Sequence, residues 1–235
     1  MEQIKMKTIT VSRENAETYK MIRTNLQYCG SDKKVIAFTS SIPGEGKSSS
    51  AFQVGLSLAE SGKKVLLVDG DLRNSSLREY FVIESKFTGL TAFLEDRENF
   101  SNAIRTTNNP NFHVLLAGEI SDKPAELLER VNFRKMILAA RKVYDYVLID
   151  TPPIGRVIDA MVISNVCDGI ILVIQSGILS RRYLQKIKKQ LEVGECPIIG
   201  CIVNKVKKKE IGYGKYGKYG KYGAYGTYGY YGRKE

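Results

Sequence analysis

The sequence predicts an α/β fold in which a mostly parallel sheet carries helices on both faces. Short, continuous apolar runs rich in Val, Ile and Leu alternate along the chain with longer amphipathic stretches, the pattern of parallel strands buried on both sides. The loop SIPGEGKS directly follows the first strong run and precedes a helical stretch. Aspartates end two of the later runs, at the sheet edge where open parallel sheets bind ligands.

The alternation resolves into strands and helices in chain order. Residues 1–11 show no clear pattern, Ser12 is a plausible cap for a helix over Glu14–Tyr28, and Glu79–Asn109 is predicted to form short helices and loops. The predicted strands are Val35–Thr39, Lys64–Asp69, Phe112–Leu116, Tyr146–Asp150, Gly169–Ile174 and Ile198–Val203. The other predicted helices are Lys47–Ser61 (ended by Gly62), Pro124–Val131, Phe133–Val143, Asp159–Asn165 and Ser180–Val193.

Length and composition bound the class of protein. A chain of 235 residues with 43% hydrophobic content can bury one substantial core. Its apolar runs are all far shorter than the ~18 residues of a membrane span, and the first residues lack a signal-peptide pattern, so we expect an intracellular protein. The four cysteines form no C-x-x-C pair and His113 is the single histidine, which predicts buried, reduced thiols rather than a zinc site.

The net charge of +11 is concentrated at the C-terminus. From Lys205 onward, nine Lys/Arg and two Asp/Glu give +7, so the preceding 204 residues carry only +4. A nucleic-acid-binding body is therefore not indicated. The charge and composition divide the chain into an N-terminal segment, 1–13, a main domain, 14–204, and a tail, 205–235.

The tail has a tyrosine and glycine repeat. Seven tyrosines recur every third residue, an eighth breaks the phase, and nearly every one precedes a glycine. They are Tyr213, Tyr216, Tyr219, Tyr222, Tyr225, Tyr228, Tyr230 and Tyr231. With almost no aliphatic residues to form a core, the tail is predicted to be disordered. Glycine at every third position without proline does not support a collagen helix.

The loop SIPGEGKS is typical of a phosphate-binding loop of P-loop NTPases. Gly44 and Gly46 let backbone N–H groups approach phosphate oxygens, and the N-terminus of the following helix adds free donors and a favourable dipole. Lys47 can reach the β- and γ-phosphates, while the Ser48 hydroxyl can ligate Mg²⁺. Ser41 stands where the full pattern asks for glycine, a small departure.

Carboxylates at strand ends supply the acidic partners of that loop. Asp69 and Asp71 follow one predicted strand and Asp150 ends another; a carboxylate there can hold Mg²⁺ directly or through water. A lone aspartate at a strand end would more often be a cap, but three on one edge beside the loop favour a metal site. Arg73 can stabilise phosphate charge, and a surface salt bridge is the competing interpretation.

These motifs resemble the bacterial protein-tyrosine kinases, the cytoplasmic type associated with capsule and exopolysaccharide synthesis. The resemblance covers nearly all of the chain from about Glu14. It rests on IPGEGKS as the first Walker motif, VDGDLR as an additional acidic motif, VLIDTPP as the second Walker motif, Asp159-Ala160, Lys123–Leu128 and the tyrosine tail.

The chain departs from the family pattern in three places. Ser41 replaces a residue that is often Gly or Ala, and Asn74–Ser76 stands where a basic residue and a proline are usual. We expect both to affect the chemistry little. The assembly motif E-x-x-R-x-x-R appears as Glu17-x-x-Lys20-x-x-Arg23, and Lys forms less directional pairs than Arg. From spacing alone, a solvated charged face is the alternative interpretation of these three residues.

The resemblance implies an ATP- and Mg²⁺-dependent kinase that phosphorylates its own tail tyrosines in trans. It implies that Lys47 holds phosphates, that Ser48, Asp69 and Asp150 hold the metal, and that Asp71 or Asp69 orients or deprotonates the attacking phenol, with Asp71 favoured. The implied cofactor-binding residues are Pro43, Gly44, Glu45, Gly46, Lys47, Ser48, Ser49 and Asn204, the last at a position that contacts adenine in related ATPases.

The resemblance also implies partners and a location. The implied activator is a separate transmembrane polysaccharide chain-length regulator, and a cognate tyrosine phosphatase is a further implied partner. The chain itself would form a ring-like homo-oligomer through Glu17, Lys20 and Arg23, with an octamer as one candidate size. The implied location is the cytoplasm, at the inner face of the plasma membrane through the activator. We expect no stable binding of nucleic acid.

Two other functions share parts of the pattern. Septum-site and plasmid-partition ATPases have the same fold and loop, but they carry a signature Lys at the second loop position, where this chain has Ile42. A basic Tyr/Gly tail can also bind single-stranded nucleic acid or form condensates without being phosphorylated, because Tyr, Arg and Lys stack on and attract such strands.

Overall fold

A computed structural model describes residues 2–83 and 87–207 of the chain. Within these residues a seven-stranded sheet has the order β5-β6-β3-β7-β2-β8-β9, and a two-stranded antiparallel sheet pairs β1 with β4. The strands are β1 Lys5–Met6, β2 Val35–Ser40, β3 Val65–Asp69, β4 Phe81–Val82, β5 Arg105–Thr106, β6 Phe112–Leu115, β7 Tyr146–Asp150, β8 Gly169–Gln175 and β9 Ile198–Asn204. The helices are α1 Arg13–Tyr28, α2 Lys47–Glu60, α3 Leu90–Leu94, α4 Phe100–Ala103, α5 Pro124–Glu129, α6 Val131–Val143, α7 Asp159–Ser164 and α8 Arg181–Leu191, with a 3-10 turn at Leu77–Tyr80.

The large sheet is parallel except for β5, which runs antiparallel to β6 at one edge. Successive residues of its strands point to opposite faces, and both faces are buried. On β2, Ile36 and Phe38 pack in the cluster that includes α1 and α2. Val35 packs in the cluster under α5 and α6, and Ala37 in the cluster with α7 and α8. The predicted fold class is confirmed.

The predicted strands and helices of the main domain are present, with small shifts at their ends. Ser12 caps α1, its hydroxyl accepting a hydrogen bond from the Asn15 N–H. The predicted helix through AELLERV stops at Glu129 because Arg130 has an extended backbone, with φ −60° and ψ 143°, so that boundary was wrong. Arg130 then serves as the N-cap of α6, which begins two residues earlier than predicted, at Val131.

The sequence analysis missed the small sheet formed by β1 and β4. Lys5 pairs with Val82 and Met6 with Phe81, which brings the N-terminal segment against the part of the chain that follows β3. Two-residue strands show no periodicity, so a pattern search has no signal to find.

None of the helices in the described part of the chain is long and apolar enough to cross a membrane. The predicted tail tyrosines all lie outside the described residues, and the division into a main domain and a disordered tail stays a prediction.

Candidate active site at the phosphate-binding loop

The loop between β2 and α2 has the backbone of a phosphate cradle. Gly44 and Gly46 have φ of 81° and 94°, the left-handed region that glycine occupies without strain. A Cβ at Gly46 would also meet Nδ2 of Asn204, so a larger residue there would displace the Asn204 amide. Helix α2 begins at Lys47, so its first N–H groups face the loop as donors for an anion.

Glu45 braces this loop from inside. Its buried carboxylate accepts hydrogen bonds from the N–H groups of Ser41 at 2.7 Å and Ile42 at 2.9 Å. Its other oxygen accepts one from the N–H of Gln175 on β8, at 3.0 Å. The side chain of Glu45, a predicted cofactor-binding residue, is therefore committed to the protein backbone, and only its main chain is available to a phosphate.

The end of β9 clamps the same loop from the other side. Asn204 donates from Nδ2 to the carbonyl oxygen of Glu45 at 2.9 Å, and Lys205 donates from Nζ to the carbonyl oxygen of Gly44 at 2.7 Å. The structure thus brings Asn204 to the site, where it ties the loop to the sheet. The resemblance assigned it an adenine contact; sequence reasoning did not foresee the clamp, because the hydrogen-bonded pairs lie about 160 residues apart.

The two other predicted loop residues differ in their surroundings. Pro43 is exposed at the tip of the loop. Ser49, one residue beyond Ser48 on α2, hydrogen-bonds the side chain of Tyr19 on α1. In this structure the Ser49 hydroxyl therefore joins two helices, and its contact with the cofactor stays a prediction.

Lys47 lies at the centre of a buried cluster of charges. Its Nζ is 3.4 Å from Oδ2 of both Asp71 and Asp150 and 3.1 Å from Oγ of Ser48. Burial alone would lower the pKa of Lys47, but the negative charges of Asp150, Asp71 and Asp69 more than offset it and raise that pKa. Lys47 is therefore held as a cation under the loop.

The carboxylates around Lys47 are deeply buried. Asp69 and Asp150 are fully buried, and burial raises the pKa of both. The pKa of Asp69 reaches about 7, with the nearby charge of Asp150 as a further cause. Asp71 N–H donates to Oδ1 of Asp69 at 3.3 Å. Burying several carboxylates together lowers the stability of the fold unless a cation compensates their charge. Such a cluster of shifted pKa values is typical of a functional site.

Two oxygen atoms at this site fit a divalent cation. The Ser48 hydroxyl donates to Oδ2 of Asp150 at 2.5 Å, and the lone pair that faces Nζ of Lys47 at 3.1 Å becomes available to a cation once Lys47 turns to a phosphate. Oδ1 of Asp150 is buried and has no hydrogen-bond partner among the described residues. Those residues contain no group of three His, Cys, Asp or Glu arranged to hold a metal by themselves, but Mg²⁺ usually binds one or two carboxylates together with substrate phosphates.

Arg73 is engaged in an ion pair outside this cluster. Its Nε and one terminal nitrogen donate to the two carboxylate oxygens of Asp159, at 2.8 and 3.0 Å. Asp159 is fully buried at the start of α7, whereas the Arg73 side chain is 41% exposed. The observed pairing matches the salt-bridge alternative considered for Arg73, and it fixes the guanidinium beside the site.

Two serines that sequence reasoning set aside also reach the cluster. The Ser75 hydroxyl donates to Oδ2 of Asp69, and the Ser76 hydroxyl donates to Oγ of Ser48 at 2.8 Å. The sequence signal was present, since these hydroxyls follow the acidic motif by a few residues. The sequence analysis gives them only as part of a departure from the family pattern that should affect the chemistry little, and it assigns them no role.

The three residues predicted for assembly lie on α1. Lys20 forms an ion pair with Glu17 of the same helix at 2.8 Å, and both side chains are exposed. Arg23 donates to the carbonyl oxygen of Ser57 on α2 at 3.0 Å. Arg23 thus joins α1 to α2 within the subunit, while Glu17 and Lys20 remain accessible on the surface.

Comparisons with known proteins show which family the chain is related to. Residues 33–194 match the family described as AAA domain. The chain is 42% identical over 203 residues to the tyrosine-protein kinase CpsD of Streptococcus agalactiae, covering 86% of this chain and 88% of that protein. The kinase domain of the Escherichia coli tyrosine kinase ETK superposes with a TM-score of 0.78 at 26% identity, covering 93% of this chain and 80% of that one.

The positioning ATPases are more distant. The cell division ATPase MinD of Pyrococcus furiosus superposes with a TM-score of 0.63 at 25% identity, over 73% of this chain and 71% of that one. It therefore shares the fold, but over less of the chain than the kinase domain of ETK does. By its sequence, its sheet and its site, the chain belongs to the family of bacterial tyrosine-protein kinases.

Proposed function

We propose that the chain transfers the γ-phosphoryl group of ATP to tyrosines of its own tail, acting between subunits. One observation carries the proposal: Lys47, Ser48 and three strand-end aspartates converge beneath a glycine-rich loop at the start of a helix. The fold and the family imply ATP binding with a divalent metal. Phosphoryl transfer needs mainly positioning and electrostatic stabilisation, which this arrangement provides.

Each residue of the cluster has a distinct task. Lys47 would move away from its carboxylate partners and hold the β- and γ-phosphates. Ser48, Asp150 and Asp69 would hold Mg²⁺ directly or through water. A bound Mg²⁺ would supply neutralisation of the phosphate charge at this site. Asp71 orients or deprotonates the attacking phenol. We favour Asp71 over Asp69 for that task because Asp69 is already assigned to the metal.

The tail suits the role of substrate. Tyrosine is a weak nucleophile near pH 7, since its pKa is near 10, so access and positioning decide the reaction. Glycine between the tyrosines lets one after another reach a neighbouring site. Eight phosphates of about −1.5 each would change the tail from +7 to roughly −5.

Assembly and activation belong to the same proposal. The chain forms a ring-like homo-oligomer in which each subunit contacts its neighbour through α1, where Glu17 and Lys20 are exposed. A transmembrane chain-length regulator recruits the chain to the membrane and activates it. A tyrosine phosphatase reverses the modification. We expect the charge reversal of the tail to dissociate the ring. An unchanged oligomer mass after full phosphorylation, measured by light scattering, would contradict the dissociation.

The first experiment maps phosphate by mass spectrometry after incubation with Mg-ATP. The full chain is tested alone and with the cytoplasmic segment of the regulator, beside Lys47→Met and a copy with the eight tail tyrosines replaced by Phe. Lys142→Met, an exposed lysine of α6, is the matched control. We expect phosphotyrosine on the tail of the parent and of the control, and none in Lys47→Met.

The same experiment distinguishes the proposed kinase from the alternative functions. ATP hydrolysis without phosphotyrosine in either condition would overturn the kinase proposal and favour a positioning ATPase. Salt-dependent RNA binding by the chain, lost when the tail is removed after Lys207, would favour a nucleic-acid-binding tail. The cut is placed there because Lys205 contacts the phosphate-binding loop.

A further inference from the structure

The segment after β3 curls back over the charged cluster. The Asn74 N–H donates to Oδ1 of Asp71 at 3.0 Å, which closes a turn on the carboxylate three residues earlier. Two residues on from Ser75, Leu77 is fully buried in the cluster that includes Phe52 and Phe81. Ser75 and Ser76 therefore stand on backbone that is anchored at both ends.

Their hydroxyls bind two of the groups assigned to the metal. Ser75 donates to Oδ2 of Asp69, and Ser76 donates to Oγ of Ser48 at 2.8 Å. Both acceptors lie in a buried site, where a hydrogen bond is stronger than at the surface because water does not compete.

The hydrogen bonding of Ser48 shows what Ser76 contributes. A hydroxyl has one proton to donate and two lone pairs that accept. Ser48 gives its proton to Asp150 at 2.5 Å, accepts from Ser76 with one lone pair, and faces Nζ of Lys47 at 3.1 Å with the other. When Lys47 turns to a phosphate, that second lone pair becomes available to a cation. Ser76 thus fixes the rotation of the Ser48 hydroxyl so that the free lone pair points into the site.

We propose that Ser75 and Ser76 are positioning residues of the metal site, which orient the Asp69 carboxylate and the Ser48 hydroxyl for a divalent cation. The inference rests on the metal-binding part of the proposed function and requires no step of phosphoryl transfer. It differs from a purely structural role, in which the two hydroxyls would only satisfy buried acceptors. A structural role predicts a loss of stability alone, whereas a positioning role predicts weaker metal binding in a folded protein.

The test measures Mn²⁺ binding to the full chain in the presence of ADP. The free Mn²⁺ signal in electron paramagnetic resonance gives the dissociation constant for the parent, Ser75→Ala and Ser76→Ala. Groups that orient metal ligands typically change metal affinity by about 10- to 100-fold. We expect about tenfold weaker Mn²⁺ binding in each variant, unchanged ADP affinity in EDTA, and restored Mn²⁺ affinity in Ser76→Thr, which keeps the hydroxyl.

Ser164→Ala is the matched control. The Ser164 hydroxyl is also buried, with the residue 1% exposed, and donates to the carbonyl oxygen of Met161 at 2.7 Å on α7, outside the cluster. We expect its Mn²⁺ affinity to equal that of the parent. Thermal unfolding of all variants establishes that they are folded.

Each contrary result has a definite meaning. Parent-like Mn²⁺ affinity in folded Ser75→Ala and Ser76→Ala would overturn the inference and leave the proposed function intact. An equal loss in Ser164→Ala would also overturn it, by showing a general effect of lost stability. If the parent itself bound ADP without any response to Mn²⁺, the metal-binding part of the proposed function would fail, and this inference with it.

Discussion

The two ends of the large sheet use aspartates in opposite ways. At the amino ends of the strands, Asp168 accepts hydrogen bonds from the N–H groups of Lys34 and Val35, at 2.9 and 2.8 Å, and pairs with Arg141. At the carboxyl ends, Asp150 is fully buried, and one of its oxygens has no partner among the residues that the structure describes.

The difference supports the proposal that the carboxyl ends of the strands bind the ligand. A carboxylate that accepts backbone N–H groups and pairs with arginine stabilises the fold directly. Asp69 and Asp150, held close together around one lysine, repel each other and lose hydration, so they weaken the protein until a cation and phosphates arrive. The amino end therefore serves stability, and the carboxyl end gives up stability for binding.

The largest effect that would test this contrast is expected at Asp150. Asp150→Asn removes a charge from the metal site while keeping its shape, and we expect tail phosphorylation to slow by at least about 100-fold, as for the loss of a well-placed electrostatic group. Its free energy of unfolding without metal should stay equal to that of the parent or rise, because one buried like charge is gone. Phosphorylation rates and urea unfolding measure the two quantities. A large loss of stability with unchanged activity would show that Asp150 belongs with the structural aspartates.

The opposite result is expected at Asp168. Asp168→Ala removes an acceptor from two strand N–H groups and from Arg141, although Arg141 and the Lys34 N–H keep the carbonyl oxygen of Asp32. We expect a loss of about 2 kcal/mol in the free energy of unfolding. The phosphorylation rate at a temperature where the variant is folded should remain within about twofold of the parent, because the change leaves the metal site intact. Urea unfolding gives the first quantity and phosphate incorporation the second. The exposed Asp122, changed to Ala, provides a control that should alter neither.

The sequence could predict only part of the candidate site. Lys47 and Ser48 could be predicted because they close the glycine-rich loop that follows β2, and Asp150 because it ends β7. In a parallel sheet the carboxyl ends of the strands lie at one edge, which brings these residues together. The bracing of the loop by Glu45 and its clamp by Asn204 were not foreseen, since they join residues of β8 and β9 to a loop far away in sequence. Such contacts depend on which strands are neighbours, and a linear pattern does not contain that information.

The same limit applies to the fold. Continuous apolar runs predicted the parallel sheet, because strands buried on both faces show a strong local pattern in the sequence. The pairing of β1 with β4 rests on two residues from each strand, too few for any periodicity. The break at Arg130 is one backbone torsion in an otherwise helical stretch. Both features are decided by tertiary packing, which overrides local preference.

The smallest effect expected concerns His113, the single histidine, on β6. Its Nδ1 lies 2.9 Å from the hydroxyl of Tyr144. Burial, helped by the charge of Lys64, lowers the pKa of His113 below its usual 6.5. The unfolded chain then takes up this proton more readily than the folded one, so His113 makes stability fall slightly as pH drops below about 6.5. Proton NMR of the single imidazole gives the titration directly, and His113→Gln should remove this part of the pH dependence of urea unfolding.

The same titration tests whether the two ends of the sheet are independent. His113 pairs in register with Leu66, near the start of β3, whereas Asp69 ends that strand. Because charges separated by more than about 8–10 Å are largely screened at moderate salt unless they are buried together, adding Mg-ADP should leave the midpoint of His113 unchanged. A midpoint that moves on nucleotide binding would show that the sheet transmits charge or strain from its carboxyl end. The amino end of the sheet would then respond to binding, and the separation of roles between the two ends would not hold.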